Sequence, residues 1–125
     1  MSYNYDDQNI FAKILRGEIP NDTVLETEHT LAFRDIAPQK KIHILVIPKG
    51  AYVSYDDFCK NASPEEMVDF NKAVGTITDQ MGISLDKGDG FRVIANTGPH
   101  GHQEVPHMHF HILAGEHVGP MVIKT

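Results

Sequence analysis

The chain has one cysteine, Cys59, in 125 residues. It can form neither an intramolecular disulfide nor a cysteine-rich zinc centre, and a reducing cytosolic compartment is its simplest setting. No apolar run approaches the roughly 20 residues that span a bilayer, so no membrane association is expected. The opening Met1–Asp7 is acidic and lacks the positive and apolar regions of a secretory leader; a cytoplasmic location is expected. Basic side chains are also scarce, 11 against 17 acidic ones, for a formal net charge of −6. That balance argues against nucleic acid as a partner but leaves room for one local anion pocket. No repeat, low-complexity tract or linker interrupts the sequence. Residues 1–125 are expected to form one domain, with a short flexible N-terminus and a tail from about 115.

What the chain does have is histidine, concentrated in one stretch. His107, His109 and His111 alternate with Met108, Phe110 and Ile112. A two-residue period is that of a half-buried strand, with imidazoles roughly 7 Å apart along one face. A helix would scatter the same side chains. Three uses of such a face compete: a solvated polar surface, a metal site, and chemistry on an anionic substrate in which one imidazole attacks phosphorus while others hold oxygens. The flanking Asn96–Gln103 loop favours the third. It is interrupted by Gly98, Pro99 and Gly101, and its amides could form an anion nest. No tetrahedral set of cysteine or acidic ligands stands close by in sequence.

The rest reads as mixed α and β. Asp7 can cap a short helix over Gln8–Arg16 with Ile10, Phe11, Ile14 and Leu15 on one face, ended by Gly17 and Pro20. Val24–Glu28 and Leu31–Asp35 look like antiparallel strands, and His43–Ile47 like a buried third strand closed by Pro48. Ser54 can cap a brief turn through Cys59. Ser63-Pro64-Glu65-Glu66 is a capping box that opens a long helix, with Met67, Phe70, Val74, Ile77 and Met81 at core spacing until Gly82. Phe91–Ala95 supplies a further strand before the glycine-rich loop. The fold expected is α+β: an antiparallel five-stranded meander with one long and one short helix.

These segments together resemble the histidine triad nucleotide-binding family. The resemblance rests on Asn96–Gly115 with its His-x-His-x-His core. It extends through Ile10–Ile14, Gly17–Pro20, Ala32–Pro38 and His43–Pro48, and to the Gly119-Pro120-Met121 tail characteristic of bacterial nucleoside phosphoramidases. Many relatives carry Cys-x-x-Cys, implying structural zinc, where this chain has Asn9 and Ala12. No metal and no cofactor are therefore expected.

The resemblance implies a homodimer whose sheets join at an edge, acting on a purine nucleoside monophosphate or phosphoramidate. It implies His109 as nucleophile, its other ring nitrogen bonded to the carbonyl of His107; His111 at the phosphate oxygens; and His43 behind the triad against His107. Asn96 and the amides near Gln103, Glu104 and Val105 would hold phosphate. Ile10, Phe11, Ile14, Phe33, Ile36 and Leu45 would pack around the base, and Asp35 would meet the ribose. A dinucleoside polyphosphate hydrolase and a nucleotide-binding interaction protein without turnover are the alternatives. Two departures stand out. His102 occupies a position that is glycine in some relatives, and Glu104 one that is often serine or threonine, which could donate to phosphate where an ionised carboxylate cannot.

Overall fold

The computed structural model describes residues 3–124. Met1, Ser2 and Thr125 lie outside it, and with them the outermost part of the expected flexible N-terminus. The elements in chain order are α1 (Ile10–Leu15), β1 (Thr23–Glu26), β2 (Thr30–Arg34), β3 (Ile42–Pro48), α2 (Tyr55–Asn61), α3 (Pro64–Gln80), β4 (Arg92–Ile94) and β5 (Phe110–Ala114). The expected α+β class and five-stranded antiparallel sheet are found, with α2 as a second short helix. The strand order is β1-β2-β3-β5-β4, so the last two strands depart from a simple meander. β5 thus lies inside the sheet, with β3 on one side and β4 on the other. It begins at Phe110 and carries His111, while His107 and His109 lie in the irregular segment just before it and not on the strand expected over His107–Ile112.

Alternation along the strands divides the interior into two layers. Ala32, Ile44, Val46 and Ile112 face α3 and pack with Phe70 and Ile77 from its apolar stripe. Leu31, Phe33, Leu45 and Ile47 face the other way and pack with Phe11 and Ile14 of α1. The long helix begins as its sequence indicates. The Ser63 hydroxyl accepts from the Glu66 amide, the Glu66 carboxylate accepts from the Ser63 amide, and Pro64 sits where no amide donor is needed. Its C-cap is Met81, followed by Gly82 at φ 70°.

At α1 the cap differs from expectation. Asn9, not Asp7, accepts from the Ala12 amide at 2.9 Å, and the helix starts at Ile10. The Asn9 amide in turn donates to the Asp6 carbonyl, fastening the segment before the helix. That segment is no free tail from Tyr3 onward. Tyr3 donates to Asp56 and Tyr5 bonds the ring of His107. The C-terminal stretch is likewise tied to the sheet edge, because Arg92 donates to the carbonyls of Gly119 and Pro120. Among the described residues no helix is long and apolar enough to cross a membrane.

Candidate functional site

Strand register decides which histidines meet. Leu45 lies opposite His111 and His43 opposite Leu113, so His43 and His111 are diagonal neighbours on the α1 side of the sheet. Their rings touch, with His43 Nε2 2.9 Å from His111 Nδ1. The expected pairing of His43 with His107 is therefore corrected. His107 is six residues along the chain from the partner of His43, roughly 20 Å at strand rise. Instead it sits fully buried at the start of the triad, its Nε2 2.8 Å from the Pro48 carbonyl and its Nδ1 2.6 Å from the Tyr5 hydroxyl.

These contacts assign the ring protons. A carbonyl only accepts, so His107 carries its proton on Nε2 and accepts from Tyr5 at Nδ1. By the same reasoning His109, whose Nδ1 is 2.7 Å from the His107 carbonyl, is protonated there and leaves the Nε2 lone pair free. The amide of Gln39 donates to His43 Nδ1 at 3.1 Å, which puts the His43 proton on Nε2, directed at His111 Nδ1. His111 then bears its own proton on Nε2. The triad thus offers the cavity a nucleophilic nitrogen from His109 and a donor from His111.

Burial keeps all of these rings neutral. It pushes His107 down to about 4, against the opposing bond to Pro48. His111 also falls to about 4, through burial first and then the neighbouring rings of His109 and His43. His109 and His43 are lowered by burial as well. The Asp35 and Glu104 carboxylates pull His109 back up, and Asp35 does so for His43.

Asp35, His43 and His111 bring three ligand-type atoms within 4.8 Å of one another. The donor chemistry argues against a metal there. The Gln39 amide occupies His43 Nδ1 as an acceptor, so Nε2 of that ring holds a proton where a metal would need a lone pair. The His43 Nε2 proton is spent on His111 Nδ1, and Asp35 Oδ2 stands 3.3 Å from the same nitrogen as a nearby negative charge.

The cavity in front of the triad holds about 520 Å³ of empty space, mouth included. It is lined by Phe11, Asp35, Gln39, Leu45, Asn96, His102, Glu104, Val105, His109 and His111. Of the residues expected around a base, Phe11 and Leu45 reach the cavity, and the Phe11 ring stands edge-on to His109 at 5.0 Å between centroids. Ile14 and Phe33 lie in the buried layer behind Phe11. Ile10 is on the outer face of α1, 43% exposed, and Ile36 is 97% exposed. The cause at Ile36 is local. Asp35 Oδ1 accepts from the Ala37 amide at 2.8 Å, and the resulting turn throws the intervening side chain outward. Gln39 and Tyr5 went unnoticed in the sequence, because one acts through its backbone and the other lies 102 positions from its partner.

The Asn96–Val105 loop is held by the Gln103 side chain rather than offering it to a ligand. Gln103 Oε1 accepts from the Gly98 amide, and Nε2 donates to the carbonyls of Val53 and Val105. The Gln103 amide is also spent, on the Gly98 carbonyl, whereas those of Glu104 and Val105 make no hydrogen bond among the described residues. Gly101 is required sterically, since a Cβ there would lie 2.5 Å from the Thr97 carbonyl oxygen. His102 has φ 60°, the left-handed region that favours glycine. Its Nε2 is 3.0 Å from Glu104 Oε1, and both side chains are exposed at the cavity mouth.

Comparison with known proteins shows the family and the fold. The chain is 51% identical over 124 residues to an uncharacterised HIT-like protein of Azospirillum brasilense, covering 99% of each. It is 42% identical over 117 residues to the purine nucleoside phosphoramidase of Escherichia coli K12, covering 93% of this chain and 94% of that one. Among solved structures, a histidine triad protein from Clostridium difficile superposes with a TM-score of 0.77 at 40% identity, over 90% of this chain and 95% of the other. A HIT family hydrolase from Clostridium thermocellum gives 0.82 at 31%, over 94% and 99%. With residues 16–118 matching the HIT domain, the chain belongs to the histidine triad family.

Proposed function

We propose that this protein is a purine nucleoside phosphoramidase that hydrolyses the P–N bond of nucleoside 5'-phosphoramidates through a nucleotidyl-histidine intermediate. One observation carries the reading: the bond from His109 Nδ1–H to the His107 carbonyl leaves Nε2 as a neutral, unprotonated nucleophile in the cavity wall. The named E. coli relative supports the choice of P–N substrate.

Nε2 of His109 attacks the α-phosphorus in line. A P–Nε2 bond forms, the P–N bond to the amine breaks, and the departing nitrogen takes a proton from solvent. Asn96, the free amides of Glu104 and Val105, and the Nε2–H of His111 hold the phosphate oxygens. Imidazolium character on His109 is stabilised by the His107 carbonyl. Water then attacks phosphorus, the P–Nε2 bond breaks, and a proton returns to solvent with release of nucleoside monophosphate. Phe11, Leu45 and Val105 form the apolar wall for the base, and Asp35 accepts from the ribose. The reading includes a cytoplasmic homodimer joined at a sheet edge. It is supported by the outermost position of β4, the partial exposure of Phe91 and Val93, and the exposed Met121, Val122 and Ile123.

The decisive experiment compares turnover of adenosine 5'-phosphoramidate with that of dinucleoside polyphosphates. Higher kcat/KM on the phosphoramidate is expected; a preference for dinucleoside polyphosphates would establish the alternative hydrolase, and binding without turnover on either an interaction role.

Glu104 bears on the leaving group. An ionised carboxylate at the mouth repels phosphate but attracts a cationic amine. Glu104→Ser is expected to lower kcat/KM more for a phosphoramidate whose amine carries an ammonium group than for a neutral one. Equal changes for the two substrates would show that the residue only positions the loop.

A further inference from the structure

Tyr5 lies outside every motif of the sequence, yet among the described residues it makes the one side-chain hydrogen bond to the first histidine of the triad. Its hydroxyl is 2.6 Å from His107 Nδ1, and its ring packs edge-on against the imidazole at 5.6 Å between centroids. The other ring nitrogen of His107 is taken by the Pro48 carbonyl at 2.8 Å. The ring is thus pinned at both nitrogens in a site with no solvent exposure. The carbonyl of this same residue receives the Nδ1 proton of His109.

We infer that Tyr5 is a positioning residue for the reaction: by donating to His107 Nδ1 it locks the ring and tautomer of His107, and through the His107 carbonyl it holds His109 with its Nε2 lone pair on the cavity side. The chain of bonds runs in one direction. The Tyr5 hydroxyl donates to His107, the His107 ring donates to Pro48, and His109 donates to the His107 carbonyl. Burial raises the phenol above its ordinary range, so it remains a donor at any pH where the protein works. Without the hydroxyl, the Nδ1 lone pair of a buried ring has no partner. The ring then gains freedom to tilt or to exchange tautomers, and the carbonyl that orients the nucleophile moves with it.

The N-terminal segment is built to deliver this hydroxyl. Tyr3 bonds Asp56 on α2, and Asn9 both caps α1 and donates to the Asp6 carbonyl. Tyr5 is suspended between these two anchors. Catalytic alignment is thereby made to depend on a stretch of chain that precedes the residues matched by the HIT domain, which begin at 16.

This inference rests on the phosphoramidase reading only for the choice of substrate. Tyr5→Phe keeps the ring packing and removes the hydroxyl. It is expected to lower kcat about 10-fold with little change in KM, the scale of one hydrogen bond lost from a buried ring. Long-range proton–nitrogen correlations on histidine-labelled, substrate-free protein should show His107 protonated on Nε2. They should also show its Nδ1 resonance moving towards that of an unbonded nitrogen in Tyr5→Phe. In a double-mutant cycle, Tyr5→Phe should cost nothing further in a His107→Asn background. An unmoved Nδ1 resonance, an unchanged kcat or additive effects would each overturn the assignment; should His107→Asn not fold, the resonance and the kcat–KM split still decide it. If the wild type turned over neither class of nucleotide, the functional reading would fail while the resonance still tested the bond.

Discussion

Replacing His109 by alanine or asparagine is expected to lower kcat by at least ~10³-fold while leaving nucleoside monophosphate binding nearly intact. The apolar wall of Phe11, Leu45 and Val105 and the Asp35 carboxylate remain: Phe11 loses its edge contact with the His109 ring but is still packed against Phe33, Ile14 and Leu45. The lost group is the atom that forms the bond to phosphorus, so the effect falls on the transition state; a thousandfold is about 4 kcal/mol. No neighbour can substitute. His111 spends Nδ1 on His43 and presents a protonated nitrogen, and His107 is buried with both nitrogens engaged. His43→Ala should be milder, because it acts on the proton of His111 and not on the attacking atom. Rapid quench with α-phosphate-labelled substrate should trap an acid-labile phosphoramidate on the wild type and none on His109→Ala. A folded His109→Ala protein that binds nucleotide and turns over at near the wild-type rate would rule out the covalent route.

The parts of this site that were legible beforehand are those set by local chemistry. Ser63-Pro64-Glu65-Glu66 read directly as a helix start, because it depends on neighbours within four positions. The alternation of His107, His109 and His111 with apolar residues gave the strand only in part, since β5 begins at Phe110 and holds His111 alone. The order of β4 and β5 was not legible, since it depends on where α3 returns the chain. The partner of His43 followed the same fate, being chosen by the register between β3 and β5. Ile36 shows a third limit. It belongs to a segment that matches the family, yet the turn made by the Asp35 carboxylate and the Ala37 amide sends it into solvent. Asp7 lost the cap of α1 to Asn9, two residues on, a shift that sequence preference alone cannot resolve.

The neutrality that makes His109 a nucleophile carries a cost in stability at acid pH. His107 has its affinity for protons pushed down to about 4 in the folded protein, from an ordinary value of 6.5. Above pH 6.5 the ring is neutral whether the chain is folded or not. As pH falls below 6.5 the unfolded state takes up a proton that the folded state refuses, so stability is lost progressively until about pH 4, where the folded ring also protonates. The slope is about 1.4 kcal/mol per pH unit for one such group, and the full loss for a ring as buried as His107 is on the order of 3 kcal/mol. His111 acts in the same direction between the same limits, but it borders the open cavity and is better screened. The carboxylates held low by their partners, Glu66 and Asp69, begin to act only below their ordinary values of 4.5 and 3.8. The interval from 6.5 to about 4.5 therefore belongs to histidine. Urea unfolding across that interval should show stability falling with each step towards acid, and His107→Asn, which cannot titrate, should flatten the curve. Stability that stays level between pH 7 and 5 would mean that the folded rings take up protons over the same range as unfolded ones, so that burial does not hold them neutral as the proposed chemistry requires.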